Sequence, residues 1–214
     1  MNLLLAGKYF TGDNPLNKEI IKFLKEKNFN TYITEDKFDL SFLKQKKIDM
    51  IINSGYGPII KDDILIYYKN KVINMHNSFL PNGRGIYPNL WSIFCNYQSG
   101  ITLCYVDNGI DNGDIIFQKK INFLDNITLF GSWKKLQIEL SMSLINNWEL
   151  ICNIKNPIKQ NDIDIKPSYH ERKYSEILLK LLPDKWNSKH KDVKEIARKY
   201  DFSYENFVSS FQKQ

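Results

Sequence analysis

The sequence predicts an α/β protein: a Rossmann-like core around a mostly parallel central sheet, followed by a small, mostly helical C-terminal appendage. Three observations carry that reading. Short apolar runs alternate with helical patterns through the first half of the chain. A loop rich in Asp, Asn and Gly then separates two further apolar runs, and the chain turns polar after Pro157. The core is expected over residues 1–155 and the appendage over residues 156–214.

Asn2–Ala6 reads as the first strand. Leu16–Lys27 reads as a helix, with Ile20, Ile21, Phe23 and Leu24 on one face, lysines on the other, and Pro15 suited to its first turn. Asn30–Thr34 is a second strand. Leu40–Lys46 is a short helix capped by Asp39 or Ser41. Asp49–Asn53 and Lys71–Met75 are strands, with a weak helix at Lys61–Tyr68 between them. This alternation requires crossover connections and a parallel sheet covered on both faces. Gly100–Val106 and Asp114–Ile121 are strands flanking the Asp107–Gly113 loop.

One long helix follows, from Thr128, its N-cap, to about Cys152. Leu129, Trp133, Leu136, Leu140, Leu144, Trp148 and Ile151 recur along it at three-to-four spacing. Its two tryptophans read either as core or as the interface of a homodimer. Residues 155–170 read as a loop or hairpin, and 175–182, 191–199 and 203–212 as short helices.

Hydrophobic residues make up 43% of the chain and aromatics 14%, enough for a core. The net charge of +6 favours an anionic substrate such as a phosphate ester or a nucleotide. The lysines are dispersed and no zinc-finger or RNP-type motif occurs, which argues against a nucleic-acid partner. The three cysteines, Cys95, Cys104 and Cys152, lack C-x-x-C spacing, so neither a disulfide framework nor a zinc site is expected. The apolar run after Met1 is too short for a signal peptide and lacks a basic flank. No stretch reaches membrane-span length, so no membrane partner and a cytoplasmic setting are expected. The sequon Asn126-Ile127-Thr128 then carries no glycan.

In an open parallel sheet, ligands gather beyond the carboxyl ends of the strands. The loop after the first strand, Gly7 to Gly12, has neither a dinucleotide-binding nor a P-loop glycine pattern and reads as a turn. After the third strand, Ser54-Gly55-Tyr56-Gly57-Pro58-Ile59-Ile60 is a shaped loop able to meet a planar heterocycle with main-chain groups, or a plain turn. After the fourth, strand alternation puts Asn74 and His76 on one side. An amide that donates to an oxyanion beside an imidazole that handles a proton suits acyl chemistry. A turn asparagine with a buried, satisfied histidine is the other reading.

Asp111, next to apolar Ile110, is the third candidate, able to orient a histidine or a water. The alternative is a turn aspartate, as Asp107, Asn108 and Asn112 are read. Calcium is disfavoured because EF-hand ligand spacing is missing. Ser78 lies near His76, but no serine sits in a nucleophile elbow. Cys104 reads as core, and His170 and His190 as surface residues.

These residues carry a resemblance. Asn74-Met75-His76-Asn77-Ser78-Phe79-Leu80-Pro81, Gly83-Arg84-Gly85 and Pro88-Asn89-Leu90-Trp91-Ser92 resemble the signature of folate-dependent formyltransferases. Gly100-Ile101-Thr102 followed by Asp107-Asn108-Gly109-Ile110-Asp111-Asn112-Gly113-Asp114-Ile115-Ile116 and Gln118 resembles that family's second motif, in the same order and separation. The likeness is strong over about residues 50–120 and architectural over the rest of the first 155. It implies that Asn74, His76 and Asp111 are catalytic. It implies that Gly57, Pro58, Ile59 and Ile60, with Val106, Asp107, Asn108, Gly109 and Ile110, wall a folate pocket. The co-substrate implied is 10-formyltetrahydrofolate, without a metal.

Two departures are Cys104, where the family often has histidine, and Asn112, where it often has threonine. Neither is one of the trio. Among formyltransferases, the run through Arg84-Gly85 and the tail segments Ser168–Lys173 and Leu181–Trp186 are most similar to bacterial nucleotide-sugar N-formyltransferases. These formylate a dTDP- or UDP-linked amino-deoxysugar for surface polysaccharide, and Ser78, Arg84 and Gly85 are then candidates for substrate contact, with bracing of its loop the other reading of Arg84. Methionyl-tRNA formyltransferases carry an OB-like C-terminal domain, and the residues after Pro157 show no strand-rich pattern. The runner-up is phosphoribosylglycinamide formyltransferase. A catalytically idle folate- or nucleotide-binding module is the alternative of another class.

Overall fold

Leu3, Leu4 and Leu5 have no solvent exposure and form the middle of strand β1 (Asn2–Ala6). A near-continuous apolar strand of this kind belongs inside a parallel sheet covered on both faces. The computed structural model describes residues 1–11 and 15–212. After β1 come helix α1 (Pro15–Glu26), β2 (Asn30–Thr34), α2 (Leu40–Gln45), β3 (Met50–Asn53), α3 (Asp62–Tyr67) and β4 (Val72–His76). Then follow β5 (Arg84–Gly85), α4 (Pro88–Phe94), β6 (Gly100–Tyr105), β7 (Ile115–Lys120), α5 (Leu129–Asn146) and α6 (Trp148–Asn153). The chain ends with β8 (Tyr169–His170), α7 (Arg172–Leu181), α8 (His190–Arg198) and α9 (Tyr204–Gln212).

The main sheet has six strands in the order β2-β1-β3-β4-β6-β7. β1 pairs parallel with β2 and β3, and β3 pairs parallel with β4. β6 runs antiparallel to β4, with Asn74 opposite Cys104 and His76 opposite Thr102. The mixed α/β architecture with a mostly parallel sheet is the predicted one.

Two compact units divide the described chain. The first comprises Met1–His76, Thr102–Phe117 and Ile138–Asp162. Its core joins sheet residues Leu4, Ile51 and Val72 to Leu43, Ile64 and Tyr68. Ile20 and Leu24 are the buried residues of the predicted α1 face. Asp39 caps α2, its Oδ1 accepting from the Phe42 N–H at 2.8 Å. That backbone bond, with help from the Ser41 hydroxyl, holds the Asp39 carboxyl below the usual carboxylate range.

The predicted helix from Thr128 to Cys152 is two helices, meeting at Asn147. There the Asn147 backbone leaves helical geometry at φ −107° and ψ 18°, while its side-chain amide donates to the Ser143 carbonyl at 2.8 Å. Trp148 is buried against Phe23 and Phe29, which resolves its alternative as core.

The second unit comprises Asn77–Ile101, Gln118–Gln137 and the chain from Ile163 onward. It is built on α4, a helix beyond those expected from the sequence, with Pro88 in its first turn. Trp91 and Phe94 of α4 pack with Leu178, Val193, Ala197 and Phe207 of the three tail helices. Thr128 caps α5 as expected, accepting from the Gly131 N–H at 3.0 Å.

The surface assignment of His170 and His190 is corrected. His170 is fully buried, with its ring stacked on Trp91 at 4.9 Å and 9° and edge-on to Tyr204 at 4.8 Å. His190 is buried, with Nε2 2.7 Å from Ser132 Oγ. Burial pushes both imidazoles down to about 4. A lone histidine in a polar tail reads as exposed because the aromatic slot that receives it is built from distant sequence. Among the described residues no helix is long and apolar enough to cross a membrane.

Candidate active site

The three polar residues singled out on β4 and its following loops converge within the first unit. Asn74 and His76 lie two apart on β4, so their side chains leave the strand on the same side. Asp111 meets both. Its Oδ1 accepts from Asn74 Nδ2 at 2.8 Å and lies 3.5 Å from His76 Nδ1. The pair is largely shielded, with side-chain exposures of 9% for His76 and 16% for Asp111.

Asn74 is fixed from its other end. Asn53, its register partner on β3, donates from Nδ2 to Asn74 Oδ1 at 3.0 Å. Asn53 Oδ1 in turn accepts from the Tyr56 N–H at 3.1 Å. This network sets the amide orientation: a carboxylate only accepts, so the Asn74 nitrogen must face Asp111. Sequence reasoning missed Asn53. Aligning the carboxyl ends of β3 and β4 would have found it, because parallel neighbours place equivalent residues side by side.

The loop holding Asp111 has its own internal logic. Asp107 is the turn aspartate: Oδ1 accepts from the Gly109 N–H at 2.9 Å and Oδ2 from Asn112 Nδ2 at 2.8 Å. Asp111 sits at φ 48°, in the left-handed region. Gly113 is required sterically, since a Cβ there would stand 2.1 Å from the Tyr105 carbonyl oxygen. The neighbour expected to desolvate Asp111 does not do so: Ile110 is 57% exposed. Shielding comes from the folding of the loop onto β4.

A cavity of about 250 Å3 opens beside this cluster. Its walls include Pro58, Ile59 and Ile60 from one loop and Val106, Asp107, Asn108, Gly109 and Ile110 from the other. Asn53, Asn74 and Asp111 also line it, together with Asp62, Tyr105 and Asn112. Gly57 and His76 are not part of the lining. Ile59 is 92% exposed at the rim. The arrangement joins apolar walls and main-chain groups to a polar end of amide and carboxylate, a common layout for a small-molecule site.

Residues 11–136 match the sequence model of the formyl transferase family. The chain belongs to that family. A methionyl-tRNA formyltransferase of Clostridium tetani is 31% identical over 85% of this chain and 56% of its own length. The chain thus spans about half the length of the curated relatives it matches. A solved structure of the formyltransferase PseJ from Anoxybacillus kamchatkensis is 31% identical, with a TM-score of 0.80 over 90% of this chain and 97% of that one. That protein was captured with UDP-4,6-dideoxy-4-formamido-L-AltNAc and tetrahydrofolate. A methionyl-tRNA formyltransferase from Clostridium thermocellum, 24% identical, shares the fold with a TM-score of 0.64 over 86% of this chain and 77% of that one.

The remaining candidates lie in the second unit. Ser78 is buried. Arg84 and Gly85 form β5, paired parallel with Tyr169 and His170 of β8. A Cβ on Gly85 would meet the His170 carbonyl oxygen at 2.6 Å, so the glycine allows that close strand approach.

Proposed function

We propose that this formyltransferase moves the formyl group of 10-formyltetrahydrofolate onto the amine of a dTDP- or UDP-linked amino-deoxysugar. The convergence of Asn74, His76 and Asp111 beside the cavity carries the acyl-transfer reading. The isoleucine walls and the main-chain groups of residues 106–110 suit a pteridine, whose edge alternates donors and acceptors.

In this reading the sugar amine attacks the formyl carbon. The second N–H of the Asn74 amide and a protonated His76 donate to the oxyanion that develops. Asp111 holds His76 and takes the proton released by the amine, which is returned to the folate nitrogen as its bond to the formyl carbon breaks. Bonds and protons balance without a covalent enzyme intermediate or a metal.

The acceptor rests on the likeness to PseJ, with a TM-score of 0.80 at 31% identity. The net charge of +6 favours a pyrophosphate-bearing substrate. Ser78, Arg84 and Gly85 are proposed substrate contacts, the product serves surface polysaccharide synthesis, and the setting is cytoplasmic. The second reading is a methionyl-tRNA acceptor, favoured by the 31% identity to the C. tetani enzyme.

The test is a panel assay. The protein is mixed with 10-formyltetrahydrofolate and dTDP- and UDP-aminosugars, with methionyl-tRNA and glycinamide ribonucleotide as competitors. Tetrahydrofolate release and product mass are followed. Turnover confined to methionyl-tRNA or to glycinamide ribonucleotide would sink the sugar reading, and folate binding without turnover on any amine would favour an idle binding module.

A further inference from the structure

The chain after α6 returns to the loop that carries Asp111. Ile158 pairs with Ile115, the first residue of β7, through N–H···O bonds of 2.7 and 2.9 Å in the two directions. Two residues later Gln160 opens a short 3-10 turn with its side chain buried. Its Nε2 donates to the Asp111 carbonyl at 3.0 Å and to the Gly113 carbonyl at 2.8 Å. One amide nitrogen therefore grips the loop on both sides of Asn112.

That grip falls where the backbone most needs it. Asp111 is a non-glycine residue at φ 48°, in the left-handed region that aspartate tolerates better than most residues but that still favours a held main chain. Gly113 is closed in by the Tyr105 carbonyl, and Asp107 ties Gly109 and Asn112. None of those contacts holds the Asp111 main chain itself; Gln160 does. The same residue's carboxylate reaches Asn74 and His76. A backbone shift of about 1 Å would carry that oxygen out of reach of both, and losses of about a hundredfold follow misplacement on that scale.

We infer that Gln160 is a positioning residue for formyl transfer, acting through the Asp111 main chain. It lies outside the residues 11–136 that match the family model. The inference rests on the role of Asp111 given above. It makes the segment after α6 part of the reaction machinery of the first unit.

Two variants of the full chain test it. Gln160→Met keeps the side-chain length without a donor, and Gln160→Ala leaves room for water. With 10-formyltetrahydrofolate and the panel amine that turns over, kcat is expected to fall about tenfold to a hundredfold while KM for folate stays near its starting value. In an Asp111→Asn background, adding Gln160→Met should cost nothing more, because both changes remove the same geometry. Amide hydrogen exchange across residues 107–113 should quicken in Gln160→Met while that of β1 and β3 does not change.

Wild-type turnover in Asp111→Asn alone would defeat the reading of Asp111 rather than that of Gln160. An inactive Asp111→Asn beside a Gln160→Met of unchanged kcat would overturn the positioning role alone. So would additive losses in the double variant, unchanged loop exchange, or failure of both Gln160 variants to fold, which would make the residue a determinant of the fold.

Discussion

The chain's histidines fall into two environments. His76, in the first unit, has a carboxylate oxygen 3.5 Å from Nδ1 and an amide neighbour that shares that oxygen. His170 and His190, in the second, are buried in or beside aromatic packing. Among the described residues neither nitrogen of His170 has a hydrogen-bond partner, and Nε2 of His190 meets a serine hydroxyl. Burial without a paired carboxylate makes the charged imidazole costly, so those two rings behave as flat packing groups. The difference teaches that burial alone does not mark a histidine as chemical. The partner does.

The largest effect expected from that contrast is on acid stability. Both buried histidines are pushed from an ordinary 6.5 down to about 4. The unfolded chain therefore binds more protons between those values. Their contribution is fully present above about pH 6.5 and is lost as pH falls toward 4, by at most about 3 kcal/mol each. Thermal melting followed from pH 7 to 4 should show this loss, and His170→Phe should flatten it while keeping the stack on Trp91. A melting curve of unchanged pH dependence in that variant would break the comparison.

The next effect is on rate. His76→Asn, Asn74→Ala and Asp111→Ala should each slow formyl transfer about a hundredfold or more, roughly 3 kcal/mol of barrier. Single-turnover tetrahydrofolate release is the measurement, and Asp111→Ala with near-normal turnover would refute its role. A smaller loss sharpens the contrast further. Asn53→Ala removes the brace on Asn74 Oδ1 and the acceptor for Tyr56 N–H, and should lower kcat about tenfold. Its effect should vanish in an Asn74→Ala background, measured as a double-mutant cycle.

Much of this was legible before the fold. Period-two and period-three-to-four patterns gave every strand of the parallel run within a residue or two, and placed Asn74 and His76 on one side of β4. Asp111 was one turn aspartate among several by local chemistry alone, and the motif resemblance singled it out. Helix α4 is not legible from local pattern alone: Pro88 starts it, but nearly all its residues are buried, so no polar face marks its period. The expected long helix is two because the Asn147 backbone departs from helical geometry at φ −107° and ψ 18°, which hydrophobic spacing does not record.

By itself, then, the sequence determined the α/β alternation, the carboxyl-end loops and the residue types of the site, because these depend on neighbours a few positions apart. Tertiary structure alone decided that one oxygen of Asp111 serves both Asn74 and His76. It alone brought Gln160 back across 49 residues to the Asp111 carbonyl, and buried His170 against Trp91. Those outcomes depend on how distant segments pack, and no local periodicity encodes a contact whose partners are separated by whole strands and helices.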